Sequence, residues 1–98
     1  MRTGTLSAVH LADGGPPRVA YAVPRAVGGA VVRNRARRRL RHVLATIAVA
    51  DPGQVPGGAL VITVRGDLAD RSTKELTNDV VSLLEAVRAR HRREATHP

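Results

Sequence analysis

Apolar residues recur at two different periods along this chain, and the change of period separates strands from helices. Residues 5–11 (Thr-Leu-Ser-Ala-Val-His-Leu) and 18–23 (Arg-Val-Ala-Tyr-Ala-Val) are short runs suited to extended structure. Between them lies Asp13-Gly14-Gly15-Pro16-Pro17, whose Gly and Pro residues punctuate a turn. The pattern predicts two strands joined as a hairpin. In the second, Val19, Tyr21 and Val23 alternate with Ala20 and Ala22, so one face is bulky and the other can approach a helix or ligand closely.

After Gly28-Gly29 the period lengthens. Val32, Ala36, Leu40, Val43, Leu44 and Ile47 follow at three- and four-residue steps, which predicts a helix from Ala30 with one apolar face. Asp51-Pro52-Gly53 ends it, and Pro56-Gly57-Gly58 leads into residues 59–65, read as a buried β-branched strand. A second helix is expected from Thr73. Ser72 and Glu75 have capping-box spacing, and Leu76, Val80, Leu83, Leu84 and Val87 make the stripe that follows. The order strand, strand, helix, strand, helix describes an α+β domain in which two helices pack on a small sheet. Residues 1–90 are expected to form a single domain, and residues 91–98 a disordered basic tail.

Composition turns this scaffold toward a polyanion. The chain has 98 residues, enough for one domain with a small core, and 16 Lys+Arg against 8 Asp+Glu give a net charge of +8. All but Lys74 of the sixteen are arginine, whose planar fork grips phosphate bidentately. With no cysteine there is no disulfide framework and no thiolate metal site. The longest apolar run, residues 59–64, is far too short to span a membrane, so no membrane partner is expected and the cytoplasm is the expected compartment.

The arginines are concentrated where the first helix begins. Residues 33–41 read Arg-Asn-Arg-Ala-Arg-Arg-Arg-Leu-Arg, and no acidic residue falls within residues 14–50. Pairs such as Arg33 with Arg37 and Arg35 with Arg39 repel at i,i+4 spacing by a few tenths of a kcal/mol each, which a bound polyanion would relieve. At 100° per residue Arg33, Arg37 and Arg41 fall on one flank, with Asn34 and Arg38 beside it. His42 extends the basic face. Asn34 can address base or ribose edges, or equally satisfy local backbone at a helix start.

The segment from Arg18 to Arg41, RVAYAVPRAVGGAVVRNRARRRLR, resembles the signature of the bacterial ribonuclease P protein subunit. The resemblance extends over nearly the whole chain, since the downstream strand and helix follow in the same order. It implies a left-handed strand-helix-strand crossover and an accessory role in a ribozyme that trims the 5′ leader from precursor tRNA. Partners are then the ribonuclease P RNA and precursor tRNA, with no DNA expected. Catalysis belongs to the RNA, so no protein residue is catalytic; the chain needs no cofactor of its own, and Mg2+ serves the holoenzyme. The Arg-Asn-Arg motif falls on Arg33, Asn34 and Arg35, with Arg37, Arg38 and Arg41 continuing the contact with the RNA subunit. Arg25 matches the first cation of a basic pair whose second place is taken by Ala26. The family's opening helix is not seen, and Met1-Arg2-Thr3 is expected to begin inside or beside the first strand. The leader cleft's aromatic is replaced by Val9 or, one residue on, His10; Tyr21 is the one remaining aromatic that can stack, although packing in the sheet is its commoner use.

Other classes fit less well. His10, His42, His91 and His97 lack metal-ligand spacing with carboxylates, and no nucleophile-base pair is evident. Gly28-Gly29 lacks the Lys-Ser/Thr of a phosphate loop, though it can expose helix amides to an anion. A ribosomal-protein-like structural RNA-binding domain is the main alternative. A DNA-reading helix would normally follow another helix across a tight turn, whereas this one follows strands.

Overall fold

The computed structural model describes residues 2–3 and 5–96, with side chains from 5 to 93. The elements are β1 (Arg2–Thr3), β2 (Leu6–Leu11), β3 (Pro17–Ala22), α1 (Ala30–Ala50), β4 (Gly58–Val64) and α2 (Thr73–Thr96), with 3-10 turns at Arg25–Val27 and Pro52–Gln54. The expected α+β architecture is present. Leu6, Ala8, Leu60, Ile62 and Val64 turn to one side of the sheet and share a core with Ala36, Leu40, Val43, Leu44 and Ile47 of α1 and the whole α2 stripe. Both helices therefore cover the same face.

The strands are ordered β1-β2-β4-β3, and this corrects the expected hairpin. β4 lies between β2 and β3, antiparallel to the first and parallel to the second. Only β4 has enough apolar, β-branched length to serve as a central strand for both neighbours. The turn at residues 12–16 thus crosses two strand spacings, about 10 Å, and arches over the start of β4. Gly58 makes that arch possible. Its φ is +98°, and a Cβ there would lie 2.3 Å from the Leu11 carbonyl oxygen. Its N–H donates to Gly15 O at 3.0 Å. The parallel β3 and β4, bridged by α1, supply the strand-helix-strand connection.

The opposite face of the sheet carries no helix among the described residues. Val9 pairs across β4 with Val61 and on to Ala20, and Val9 is 73% exposed. β4 is thus central in the sheet but buried on one side only, with Val61 38% exposed. The small face of β3 is the open one; its bulky face, Val19 and Tyr21, packs against the core.

α2 begins as its sequence requires. Ser72 N–H donates to Glu75 Oε1 and Glu75 N–H to Ser72 Oγ, both at 3.0 Å. Leu76, Val80, Leu83, Leu84 and Val87 are all buried. No Gly or Pro interrupts the helix, and it continues through Thr96, into the segment expected to be a tail; His97 and Pro98 lie outside the described residues.

Candidate nucleic-acid interface

α1 starts without a capping side chain. Gly29 is the N-cap, and the first turn holds no acid. The positive end of the helix is therefore not neutralised by a capping side chain or by an acid of its own first turn. The 3-10 turn at Arg25–Val27 leads into it, and Gly28 closes the turn so tightly that a Cβ would sit 3.0 Å from the Val32 side chain. Arg25 is exposed on this turn, immediately ahead of the basic helix.

The arginines of α1 divide into three groups. Arg35, Arg38 and Arg41 are exposed, as are Asn34 and His42. Val31 and Val49, 71% and 85% exposed, lie on the same outer ridge as Arg38 and His42. Arg33 and Arg37 are half-buried at the edge of the apolar stripe. Arg37 donates from Nη1 to Asn34 Oδ1 at 3.2 Å, and Arg33 Nε is buried with no hydrogen-bond partner. The local role left open for Asn34 is thus a side-chain contact, which also turns its amide nitrogen away from Arg37.

Arg39 belongs to neither group. It reaches across to the loop before α2 and donates to Leu68 O and Arg71 O, both at 2.5 Å. Arg71 in turn binds Asp79 Oδ2 at 2.7 Å and Glu75 Oε2 at 3.1 Å. This clamp ties α1 to the start of α2. Its signal in the sequence is position: Arg39 is three residues after Ala36 and four before Val43, both buried, so its stem runs along the core edge.

The three residues considered for the tRNA leader do not share a surface. Val9 lies on the open sheet face, whereas His10 and Tyr21 lie on the helical side, on strands separated by β4. Tyr21 is half-buried, and the Arg41 guanidinium stands 5.9 Å from its ring centre. That cation occupies a ring face a base would need. Burial raises the phenol's pKa, against the opposing effect of Arg41. His10 donates from Nε2 to Gly57 O at 2.8 Å and meets His91 edge-on, with ring centres 5.7 Å apart. The sequence did not pair these histidines; His91 is carried to His10 by the length of α2.

Among the described residues no three His, Asp or Glu side chains gather as metal ligands, and no helix is long and apolar enough to cross a membrane. A helix with no capping side chain and no acid over residues 30–50, laid on a small sheet, makes this a basic α+β protein suited to a polyanion. The chain belongs to the ribonuclease P protein family, whose sequence profile matches residues 2–88. It is 47% identical over 75 residues to the ribonuclease P protein component of Beutenbergia cavernae, covering 74% of this chain and 60% of that protein. The corresponding protein of Salinispora tropica is 40% identical over 74 residues, covering 76% and 52%. That of Thermobifida fusca is 40% identical over 83 residues, covering 84% and 53%. The match spans between about half and three-fifths of these relatives' length. No solved structure matches the chain.

Proposed function

We propose that this chain is the protein subunit of ribonuclease P, binding the catalytic RNA and assisting removal of the 5′ leader from precursor tRNA in the cytoplasm. The observation that carries the reading is the start of α1: Arg33, Asn34 and Arg35 follow an uncapped glycine N-terminus, and Arg38 and Arg41 continue the face outward. Arg25 joins them from the preceding turn. Arg37 acts by orienting Asn34, to which it is bonded. For the leader, Val9 on the open sheet face is the one of the three residues considered whose surroundings suit a strand lying across the sheet.

Bond cleavage is assigned to the RNA, and no side chain here is given a catalytic role. Magnesium, when bound in such an assembly, screens phosphate charge and serves the RNA's chemistry; the described residues offer no carboxylate cluster for it. The chain's arginines contribute by neutralising phosphates that would otherwise require more cations. The test is reconstitution with a bacterial ribonuclease P RNA and precursor tRNA. The protein should restore leader cleavage at magnesium concentrations where the RNA alone is nearly inactive. No copurifying ribonuclease P RNA together with no support of cleavage would refute the reading and favour a structural RNA-binding role elsewhere.

A further inference from the structure

A second concentration of cations lies at the end of the molecule away from Arg33. Residues 88–93 of α2 read Arg-Ala-Arg-His-Arg-Arg. Helix electrostatics accounts for part of this, since a cation in the last turn meets the negative end of the helix, and Arg93 holds that place. Arg88, His91 and Arg92 stand further back. At i, i+3 and i+4 they share one side of α2.

That side forms one wall of a cleft. The other wall is made by two turns, at Gly14-Gly15 and Pro56-Gly57. These turns are fastened to each other and to β2: Gly58 N–H donates to Gly15 O at 3.0 Å, and His10 Nε2 donates to Gly57 O at 2.8 Å. Two carbonyls that would repel an anion are thus engaged within the protein. Among the described residues no carboxylate lines the cleft. Asp13, the acid of the first turn, pairs with Arg18 and accepts from Gly15 N–H, and these bonds hold its carboxyl below the usual range. A Cβ at Gly14 would meet nothing within 4 Å, so this point of the neutral wall lies open to a sugar-phosphate backbone.

We propose that this cleft grips a second stretch of RNA backbone, separate from the one met by α1. The separation follows from the topology. α1 carries the chain from the end of β3 back to the start of β4, so Arg33 and Arg35 lie at one end and the cleft beside Gly57 at the other. The 21 residues of α1 span about 30 Å at the helical rise of about 1.5 Å per residue, within a molecule 45 Å long. Contacts so far apart join two segments of a folded RNA. The inference rests on the RNA-binding reading of α1.

The test uses the full chain with a bacterial ribonuclease P RNA, measuring affinity across a potassium chloride series and hydroxyl-radical footprints. Four proteins are compared: wild type, Arg38→Gln/Arg41→Gln, Arg88→Gln/Arg92→Gln and Arg88→Lys/Arg92→Lys. Each Gln pair should flatten the salt slope by about 0.7–0.9 per arginine and erase a different footprint. The Lys pair should keep both slope and footprint. If Arg88→Gln/Arg92→Gln leaves slope and footprints unchanged while Arg38→Gln/Arg41→Gln flattens the slope, the cleft inference is overturned and the α1 reading stands. If Arg38→Gln/Arg41→Gln has no effect, the α1 reading falls instead. If the Lys pair loses the footprint as well, the shape of the cleft was at stake rather than its charge, and the inference is overturned.

Discussion

Arg38 and Arg39 are neighbours in sequence and identical in chemistry, yet α1 sends them to opposite tasks. Arg38 is exposed on the outer face, with Arg41 one turn on. Arg39, rotated by 100°, bonds two loop carbonyls and closes the junction between the helices. Arginine density therefore marks where charge is needed without saying which arginines hold the protein and which face its partner. The angle to the apolar stripe decides.

The comparison breaks first at Arg39. Replacing it with Ala removes two hydrogen bonds from a charged donor and leaves two carbonyls short of partners, so stability should fall by about 3 kcal/mol. A thermal melt should shift down by roughly 10 °C or more for a domain of this size. An unchanged melt would show that the clamp holds nothing. Arg38→Gln/Arg41→Gln should behave in the reverse sense. Its effect on stability should stay below about 1 kcal/mol, chiefly the lost contact of Arg41 with Tyr21, while its salt slope for RNA flattens. A large drop in melting temperature for this pair would erase the distinction between the two flanks.

The smallest effect concerns the far side of the clamp. Glu75 is held below its ordinary pKa by the Ser72 N–H, then by the Ser72 hydroxyl and Arg71. A depressed carboxylate contributes stability that is present above its unfolded pKa and lost as pH falls through the folded one. Acid unfolding should therefore begin to draw on Glu75 just below the ordinary glutamate range. Glu75→Gln should flatten that part of the curve, and a superimposable acid limb would count against it.

Local elements were legible because each is written in a short window. The Leu76-to-Val87 stripe and the Ser72–Glu75 cap define α2, and Val32 to Ile47 define α1, with Val32 only partly buried. Strand order was not legible. The Gly14-Gly15 turn looks like a hairpin because nothing near it reveals that β4, more than forty residues on, inserts between its arms. The basic face proposed to meet RNA is written locally, in Arg33, Asn34 and Arg35 and in the lack of acids over residues 14–50. The meeting of His10 with His91, and the cleft beside it, depends on the length of α2 and on the fold of two distant turns.

The arch over Gly58 also orders events in time. Synthesis runs from the N-terminus, and until residues 58–64 leave the ribosome, β2 has only the two-residue β1 beside it and β3 has no strand at all. No early pairing joins β2 to β3. α1 emerges during this interval with six like charges in residues 33–41 and no finished surface on which to lie. The sheet is thus joined only by the arrival of its central strand, and its core face closes only when α2 follows that strand out.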